Sequence, residues 1–186
     1  RKQLENYIYT KEQRLGYNHV YTPCVGTVDL YKTSGHWDHY KEDMYITMVD
    51  ENEFAIKPMN CPGAILTYKN DLHSYKDLPL RYAELGHVHR HEASGALNGL
   101  FRVRAFTQDD SHIFCRLDQL DSEIKQVMKL FDEVYEVFGL SYKIVLSTKP
   151  EKDYIGSDEY WEKCEAILGE EYSFEIDLWS IGICAY

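Results

Sequence analysis

The sequence lacks the features that mark secreted, disulfide-stabilised and membrane proteins. It contains no CxxC spacing, no apolar run that approaches the length of a membrane span and no signal-peptide pattern. Its cysteines number only five, an odd count, and lie far apart, at Cys24, Cys61, Cys115, Cys164 and Cys184. This pattern disfavours a disulfide scaffold. We therefore expect a protein of the reducing cytoplasm that has no membrane partner.

Positive charge is also scarce. The chain has 20 Lys and Arg residues against 31 Asp and Glu, which gives a formal net charge of −11. Nucleic-acid backbones are bound chiefly by Lys and Arg, so this balance argues against strong nucleic-acid binding by the chain alone. If a nucleic acid is a partner, we expect further protein to supply most of the contacts to its backbone.

Hydrophobic and aromatic residues, by contrast, are plentiful. Of 186 residues, 44% are hydrophobic and 14% aromatic, which is enough for one folded domain over residues 1–186. Apolar periodicity predicts helices at 1–15, 29–33, 118–138 and 157–167 and strands at 17–22, 44–49, 53–57 and 142–146. No usable pattern is found in residues 169–186.

The most informative stretch is a predicted hairpin. Two β-runs, residues 80–91 and 101–106, are joined by a loop rich in Ser, Asn and Gly, which favours an antiparallel reversal. Arg90 and Glu92 share one face of this hairpin, and Arg102 can be aimed into the same space. Guanidinium groups beside a carboxylate suit a polyanion with a donor-rich base, such as a nucleoside triphosphate.

A polar strand is predicted directly after the hairpin. The period of two places Gln108, Asp110 and His112 on one face and Asp109 on the other, where we expect it to be structural. An amide, a carboxylate and an imidazole in a row suit a pocket for a small polar ligand or a metal better than a hydrophobic core.

The segment KPMNCPG at 57–63 predicts a helix start. Asn60 is the predicted N-cap and Pro62 is tolerated in the first turn, so Cys61 would lie at a helix N-terminus. There the helix dipole favours a thiolate, the form that binds metal. No local spacing rule links Cys61 to His112, however. From their chemistry alone, a buried cysteine and a satisfied histidine are the simpler interpretation.

These motifs together resemble a known family. ELGHVHRHEASG and LFRVRAFTQDDSHIFC, with KPMNCPG and TSGHW, closely resemble the catalytic domain of threonyl-tRNA synthetases, which are class II aminoacyl-tRNA synthetases. The likeness runs from the N-terminus to about residue 168 and corresponds to the N-terminal part of that domain. It implies an α+β fold in which helices flank an antiparallel sheet. A helix and a strand ending in Pro23 resemble the family's first signature motif, which implies a homodimeric parent.

The resemblance also implies a reaction and an ATP site. The reaction is the ATP-dependent activation of threonine to threonyl-adenylate, followed by transfer to tRNA(Thr), with Mg²⁺ accompanying ATP. Arg90 would be the catalytic residue, because it binds the α-phosphate during attack by the threonine carboxylate. Glu92 would contact the adenine amino edge and Phe106 would stack on adenine. Arg102 would hold the terminal phosphates.

Threonine and zinc are implied at a second part of the site. Met59, Gln108 and Asp110 would bind threonine, and Cys61 and His112 would bind a catalytic Zn²⁺. A catalytic zinc normally has three protein ligands and an open position. The family's third ligand, a histidine, has no counterpart in this sequence. Coordination of the threonine hydroxyl would reject valine, which packing alone separates poorly from threonine.

Departures from the family pattern leave alternatives open. Ala64 replaces the histidine that usually follows MNCPG, and the third signature motif, with its ATP-binding arginine, is not found. We therefore expect weak or no activity from the chain alone. The alternative is a non-catalytic synthetase-like protein that binds a nucleotide, an amino acid or a partner. A seryl- or prolyl-type synthetase is disfavoured because the pairing of Cys61 with His112 marks the threonyl branch.

Overall fold

The computed structural model describes residues 1–142, 148–151, 154 and 156–171, apart from a few side chains. The chain divides into two compact units, one of residues 1–112 and one of residues 113–186. The strand predicted at 142–146 falls almost wholly outside the described residues. So does most of the segment 169–186.

The first unit contains a sheet that carries the predicted hairpin. Its strands are β1 (Asn18–His19), β5 (Leu80–His89) and β6 (Ala105–Phe114), in the order β1-β5-β6. β1 pairs in parallel with β5 and is shorter than the strand predicted at 17–22. At the end of the β5–β6 pair, the Arg90 N–H donates to the Arg104 carbonyl at 2.9 Å.

A second sheet in the same unit is antiparallel throughout. Its strands are β2 (Val25–Thr27), β3 (Ile46–Val49) and β4 (Asn52–Ile56), in the order β2-β4-β3. Asp50 and Glu51 join β3 to β4 with φ values of 48° and 66°. Two consecutive positive φ values are the signature of a type I′ turn, so the predicted hairpin at this position is confirmed.

Four helices accompany these sheets along residues 1–69. They are α1 (Lys2–Arg14), α2 (Val28–Thr33), α3 (His36–Tyr40) and α4 (Cys61–Lys69). The end predicted for α1 is confirmed, because Gly16 follows its last turn with φ 81°. Val28 and Tyr31 of α2 are buried with Met44 and Ala55 in one apolar cluster. This cluster anchors α2 to the second sheet.

The described part of the second unit is helical after the end of β6. α5 (Leu120–Phe138) ends at Gly139, whose φ is 62°, and α6 (Asp158–Glu171) follows. Leu120, Ile124 and Met128 form a buried cluster against which residues of α6 pack. The apolar stripe predicted along α5 is buried only over its first half, since Phe138 is 48% exposed. Among the described residues, no helix combines the length and apolar composition needed to cross a membrane.

One strand prediction was wrong. The return run expected at 101–106 joins the sheet only from Ala105 onward, and β6 then continues unbroken through the polar strand. The cause is a tight local turn. The Asn98 carbonyl accepts hydrogen bonds from the N–H groups of Phe101 and Arg102, and the Arg102 carbonyl accepts one from Asn98. This closed ring of bonds keeps residues 101–103 out of the ladder.

Candidate functional site

Arg90 directly follows the last residue of β5 and is held by two contacts. Its Nε donates to the carbonyl of Pro58 at 3.1 Å. Its guanidinium carbon lies 5.3 Å from the centroid of the Phe106 ring. A cation over an aromatic face at this distance is attractive. The structure therefore brings Arg90 and Phe106 together and orients the arginine before any ligand is considered.

Glu92 and Arg102 form a second pair in the same hairpin. Arg102 Nε donates to Glu92 Oε2 at 2.8 Å, and Arg104 Nε donates to the Glu92 carbonyl at 3.0 Å. Glu92 is buried, whereas the Arg102 side chain is 59% exposed. The four residues predicted to bind a nucleotide thus form two contacting pairs, Arg90 with Phe106 and Glu92 with Arg102.

The polar face of β6 has the predicted alternation. Gln108 and Asp110 are half-buried and His112 is buried, whereas Thr107 and Asp109 are exposed. Although Asp109 is exposed overall, its carboxyl group hydrogen-bonds with that of Glu12 in α1. Gln108, Asp110 and His112 therefore share one side of the strand, opposite a carboxyl pair that ties the strand to α1.

The predicted cap of α4 was wrong. Asn60 precedes the helix, but its φ of −90° and ψ of −24° are helical, and its side chain makes no cap hydrogen bond. A capping side chain needs an extended backbone at its own residue. Instead, Asn60 Nδ2 donates to Asp110 Oδ2 at 2.9 Å, and the residue is 0% exposed. This hydrogen bond directly connects the segment of residues 59–61 to β6.

The predicted zinc ligands are of the correct chemical type. Cys61 is the first residue of α4 and is half-buried, and His112 is buried. Burial lowers the pKa of His112, which the negative charges of Asp110 and Glu84 partly oppose. The neutral imidazole thereby favoured is the form that binds metal. Within the described residues, however, no group of three or more His, Cys, Asp and Glu side chains could hold an ion. The described residues thus include Cys61 and His112 as donors of a suitable type but no complete zinc site.

A buried ion pair behind the site escaped the sequence analysis. Lys57 Nζ donates to Glu84 Oε1 at 2.8 Å and to Thr22 Oγ1 at 3.1 Å. The N–H of Thr22 donates to the same Glu84 oxygen at 2.9 Å. Lys57 and Glu84 are 5% and 3% exposed. The available signal was a glutamate between Ala83 and Leu85 in a predicted strand, at a position where a buried charge needs a partner.

Met59 directly precedes Asn60, the residue that contacts Asp110. It lines a groove of about 520 Å³ together with Thr22, Tyr31 and Lys57, among others. None of the other eight predicted site residues lines this groove. Through Asn60, the structure joins Asp110 to the segment of residues 59–61, while Met59 lines this groove.

Comparison with known proteins identifies the family of this chain. Residues 40–183 match the family described as "tRNA synthetase class II core domain (G, H, P, S and T)". The threonine–tRNA ligase of Syntrophomonas wolfei is 57% identical over 162 residues, which cover 87% of this chain and 25% of that protein. Threonine–tRNA ligase 2 of Bacillus subtilis is 54% identical over 168 residues, which cover 90% and 26%. The chain thus spans about a quarter of these relatives.

Solved structures give the same result. A structure titled as the RNA binding domain of threonyl-tRNA synthetase from Cryptosporidium parvum superposes with a TM-score of 0.86 at 41% identity, covering 91% of this chain and 42% of that one. A threonyl-tRNA synthetase structure from Aeropyrum pernix gives 0.78 at 37%, covering 89% and 40%. The chain therefore belongs to the class II tRNA synthetase core-domain family, and its predicted resemblance to the threonyl-tRNA synthetases is confirmed.

Proposed function

We propose that this chain is part of the threonine-activating centre of a threonine–tRNA ligase. In this proposal it binds ATP with Mg²⁺ and threonine, forms threonyl-adenylate and serves transfer to tRNA(Thr), in a cytoplasmic homodimer. The observation that carries the proposal is the pair of contacts Arg90–Phe106 and Glu92–Arg102 in a hairpin that continues into the polar strand β6. The names of the relatives support the same reaction.

The proposed chemistry is in-line transfer of an adenylyl group. The threonine carboxylate attacks the α-phosphorus and pyrophosphate leaves, so no protein nucleophile is needed. Arg90 stabilises the charge that develops on the α-phosphate, and its bond to Pro58 and its stacking on Phe106 fix it beforehand. Electrostatic groups that are already oriented need no reorganisation during the reaction.

The Glu92–Arg102 contact constrains the shape of the bound nucleotide. In the proposal Glu92 accepts a hydrogen bond from the adenine amino group, and Arg102 holds the terminal phosphates. Because the two side chains are bonded at 2.8 Å, the triphosphate must fold back toward the base for both contacts to exist together. An extended nucleotide would require Arg102 to leave Glu92.

Replacing Arg90 with glutamine is expected to weaken binding of ATP in the presence of Mg²⁺ by roughly 10–100-fold. A hydrogen bond to a charged group is worth about 1.5–3 kcal/mol, and glutamine removes the charge. Isothermal titration of wild type and Arg90→Gln with ATP measures the change. Arg14→Gln is the matched control, since Arg14 is exposed on the last turn of α1. Equal ATP affinities in the two variants would contradict the assigned role.

Threonine selection is proposed at the adjoining part of the site. Asp110 accepts a hydrogen bond from the threonine hydroxyl, Gln108 and Met59 help to hold the amino acid, and Cys61 and His112 are two of the ligands of a zinc ion. When bound, zinc would supply a Lewis acid for the amino and hydroxyl groups of threonine. His112 can act as a ligand at neutral pH because burial keeps its imidazole uncharged.

Removal of the Cys61 thiol is expected to lower zinc affinity at least about tenfold. Because the described residues contain no group of three or more His, Cys, Asp and Glu side chains that could hold an ion, the loss of one proposed ligand is not compensated by another. Chelator-competition titration of wild type, Cys61→Ala and Cys24→Ala tests this. Cys24 is an exposed cysteine of the same unit. If Cys24→Ala loses as much affinity as Cys61→Ala, or neither loses any, Cys61 is not a zinc ligand.

A second candidate function is supported by Ala64. This residue stands where the family usually has a histidine, and it is 2% exposed within α4, so its environment is filled by packing. A non-catalytic synthetase-like protein would retain ATP or threonine binding and show no exchange. Threonine-dependent pyrophosphate exchange above background would favour the ligase candidate, whereas ATP or threonine binding with no exchange would favour the non-catalytic one. We expect this chain alone to show at most a low rate.

A further inference from the structure

We propose that Asn60 is a positioning residue that fixes the carboxylate of Asp110 for the hydroxyl group of the amino-acid substrate. The proposal deepens the proposed function and rests on it for the identity of the substrate. Its basis is a buried contact between two segments that are distant in sequence. Asn60 Nδ2 donates to Asp110 Oδ2 at 2.9 Å.

The orientation of the Asn60 amide is determined by its partner. An ionised carboxylate can only accept hydrogen bonds, so the atom that faces Asp110 must be the nitrogen of the amide. The other end of the amide, Oδ1, is buried and has no hydrogen-bond partner among the described residues. A buried acceptor without a partner is costly. Asn60 therefore keeps an unpaired Oδ1 at a cost in stability, while its Nδ2 donates to Asp110.

Gly86 of β5 completes the arrangement. A Cβ atom at this position would lie 2.1 Å from Asn60 Oδ1 and 2.3 Å from Nδ2, far inside contact distance. The absence of a side chain at Gly86 is what allows the Asn60 amide to occupy its place. Because Asn60 is 0% exposed, the amide has no solvent into which it could turn. Gly86 of β5 thus leaves room for the Asn60 amide, which in turn orients the Asp110 carboxylate of β6.

The consequence is a carboxylate with one oxygen already used. Bonding of Oδ2 to Asn60 restricts rotation about the last torsion of Asp110, which is otherwise broad and roughly two-fold. Oδ1 is then left to accept a hydrogen bond from a substrate hydroxyl. A site built to bond a hydroxyl discriminates strongly against an analogue that lacks it, provided that the acceptor is held in place.

The contact itself can be tested without any substrate. The side-chain amide protons of Asn60 are expected to exchange with solvent at least about 100-fold more slowly than those of the exposed Asn6, as measured by ¹H–¹⁵N NMR. Their chemical shift should move in Gly86→Ala and stay unchanged in Gly95→Ala. A Cβ at Gly95 meets nothing within 4 Å, so it is the matched control. Fast exchange at Asn60, or equal shifts in both variants, would overturn the proposal.

The role in selection requires a second measurement. In Asn60→Asp and Gly86→Ala, threonine affinity is expected to fall about tenfold while valine affinity stays constant, so that discrimination collapses. ATP affinity should be unchanged, and Asn6→Asp should behave as wild type in every assay. A purely structural role would weaken threonine, valine and ATP binding alike, and that result would overturn the proposal. Wild-type discrimination between threonine and valine in both variants would also overturn the proposal.

The outcomes also separate this proposal from the proposed function. A wild-type chain that binds no threonine would refute the assignment of the pocket and, with it, the role of Asn60 in selection. The NMR measurement would still decide whether Asn60 holds Asp110. A wild-type chain that binds threonine, with variants that bind and discriminate equally well, would leave the proposed function intact and refute only the role of Asn60.

Discussion

Replacing Lys57 with methionine is expected to lower the free energy of unfolding by about 3–5 kcal/mol. Methionine keeps the length and packing of the lysine stem but leaves Glu84 as an uncompensated charge that is 3% exposed. Removing one partner of a buried ion pair is much more costly than the pair itself is worth, because the remaining charge stays out of water. Urea denaturation followed by circular dichroism measures the loss.

The same substitution should also disturb the candidate site. The Lys57 carbonyl accepts a hydrogen bond from the His89 N–H at 2.9 Å, and the Lys57 N–H donates one to the Cys24 carbonyl at 2.7 Å. The next residue supplies the carbonyl that holds Arg90. We therefore expect Lys57→Met to weaken ATP binding in addition to lowering stability.

Two variants make this prediction specific to the buried pair. Lys163→Met removes an exposed lysine that pairs with Glu159, and no measurable change is expected because exposed pairs contribute little. The double variant Lys57→Met/Glu84→Gln removes both charges and should recover part of the loss, since an amide can still accept from Thr22. A Lys57→Met protein as stable as wild type would show that the pair is already hydrated.

The features that the sequence predicted correctly depend on neighbouring residues. The end of α1 follows from Gly16 and the end of α5 from Gly139, each with positive φ. The first turn of α6 follows from Ser157, whose hydroxyl accepts from the Tyr160 N–H at 3.4 Å. The alternation along β6 follows from the period of two. Such signals depend only on residues a few positions apart in the sequence.

The features that the sequence did not reveal depend on distant partners. Asn60 was assigned to a helix cap because the residues after it begin a helix, but its partner is Asp110, on a strand far along the chain. Glu84 was not singled out from the sequence, because its partner Lys57 lies 27 positions earlier in the chain. The family resemblance pointed to Arg90, Glu92, Arg102 and Phe106, which the structure brings into two contacting pairs, yet it gave no information about the residues that hold them.

A carboxyl cluster on the other face of β6 should give this protein an unusual dependence of stability on pH. Glu12 is 1% exposed, and Ser111 Oγ donates to its Oε1 at 3.4 Å. Burial, and next the negative charge of Asp109, raise the pKa of Glu12 to about 8. His19 Nε2 lies 3.4 Å from Glu12 Oε2, and burial lowers the pKa of that histidine. Tyr9 stacks on the His19 ring, with the two ring centroids 4.0 Å apart.

The sign of the effect follows from proton binding. Between pH 4.5, the ordinary pKa of Glu12, and pH 8 the folded protein holds a proton that the unfolded chain has lost. Stability is therefore highest at the acidic end of this window and falls by about 3–5 kcal/mol across it. Asp109 is exposed as a residue, but desolvation of its carboxyl group beside Glu12 raises its pKa, so it acts in the same direction, whereas His19 acts in the opposite one. Glu12→Gln has no such proton to lose and should be the more stable protein at pH 8.

The difference between the two proteins isolates Glu12, because the other titrating groups are common to both. Free energies of unfolding from urea titrations at intervals between pH 5 and pH 9 are expected to diverge steadily and then run parallel above pH 8. Glu5→Gln, on the same helix at the Arg1 surface pair, should keep the wild-type curve. A constant difference between Glu12→Gln and wild type over this range would mean that Glu12 is charged in the folded protein. A charged Glu12 would repel Asp109, so the contact between α1 and β6 would then depend on the ion pair of Glu12 with His19.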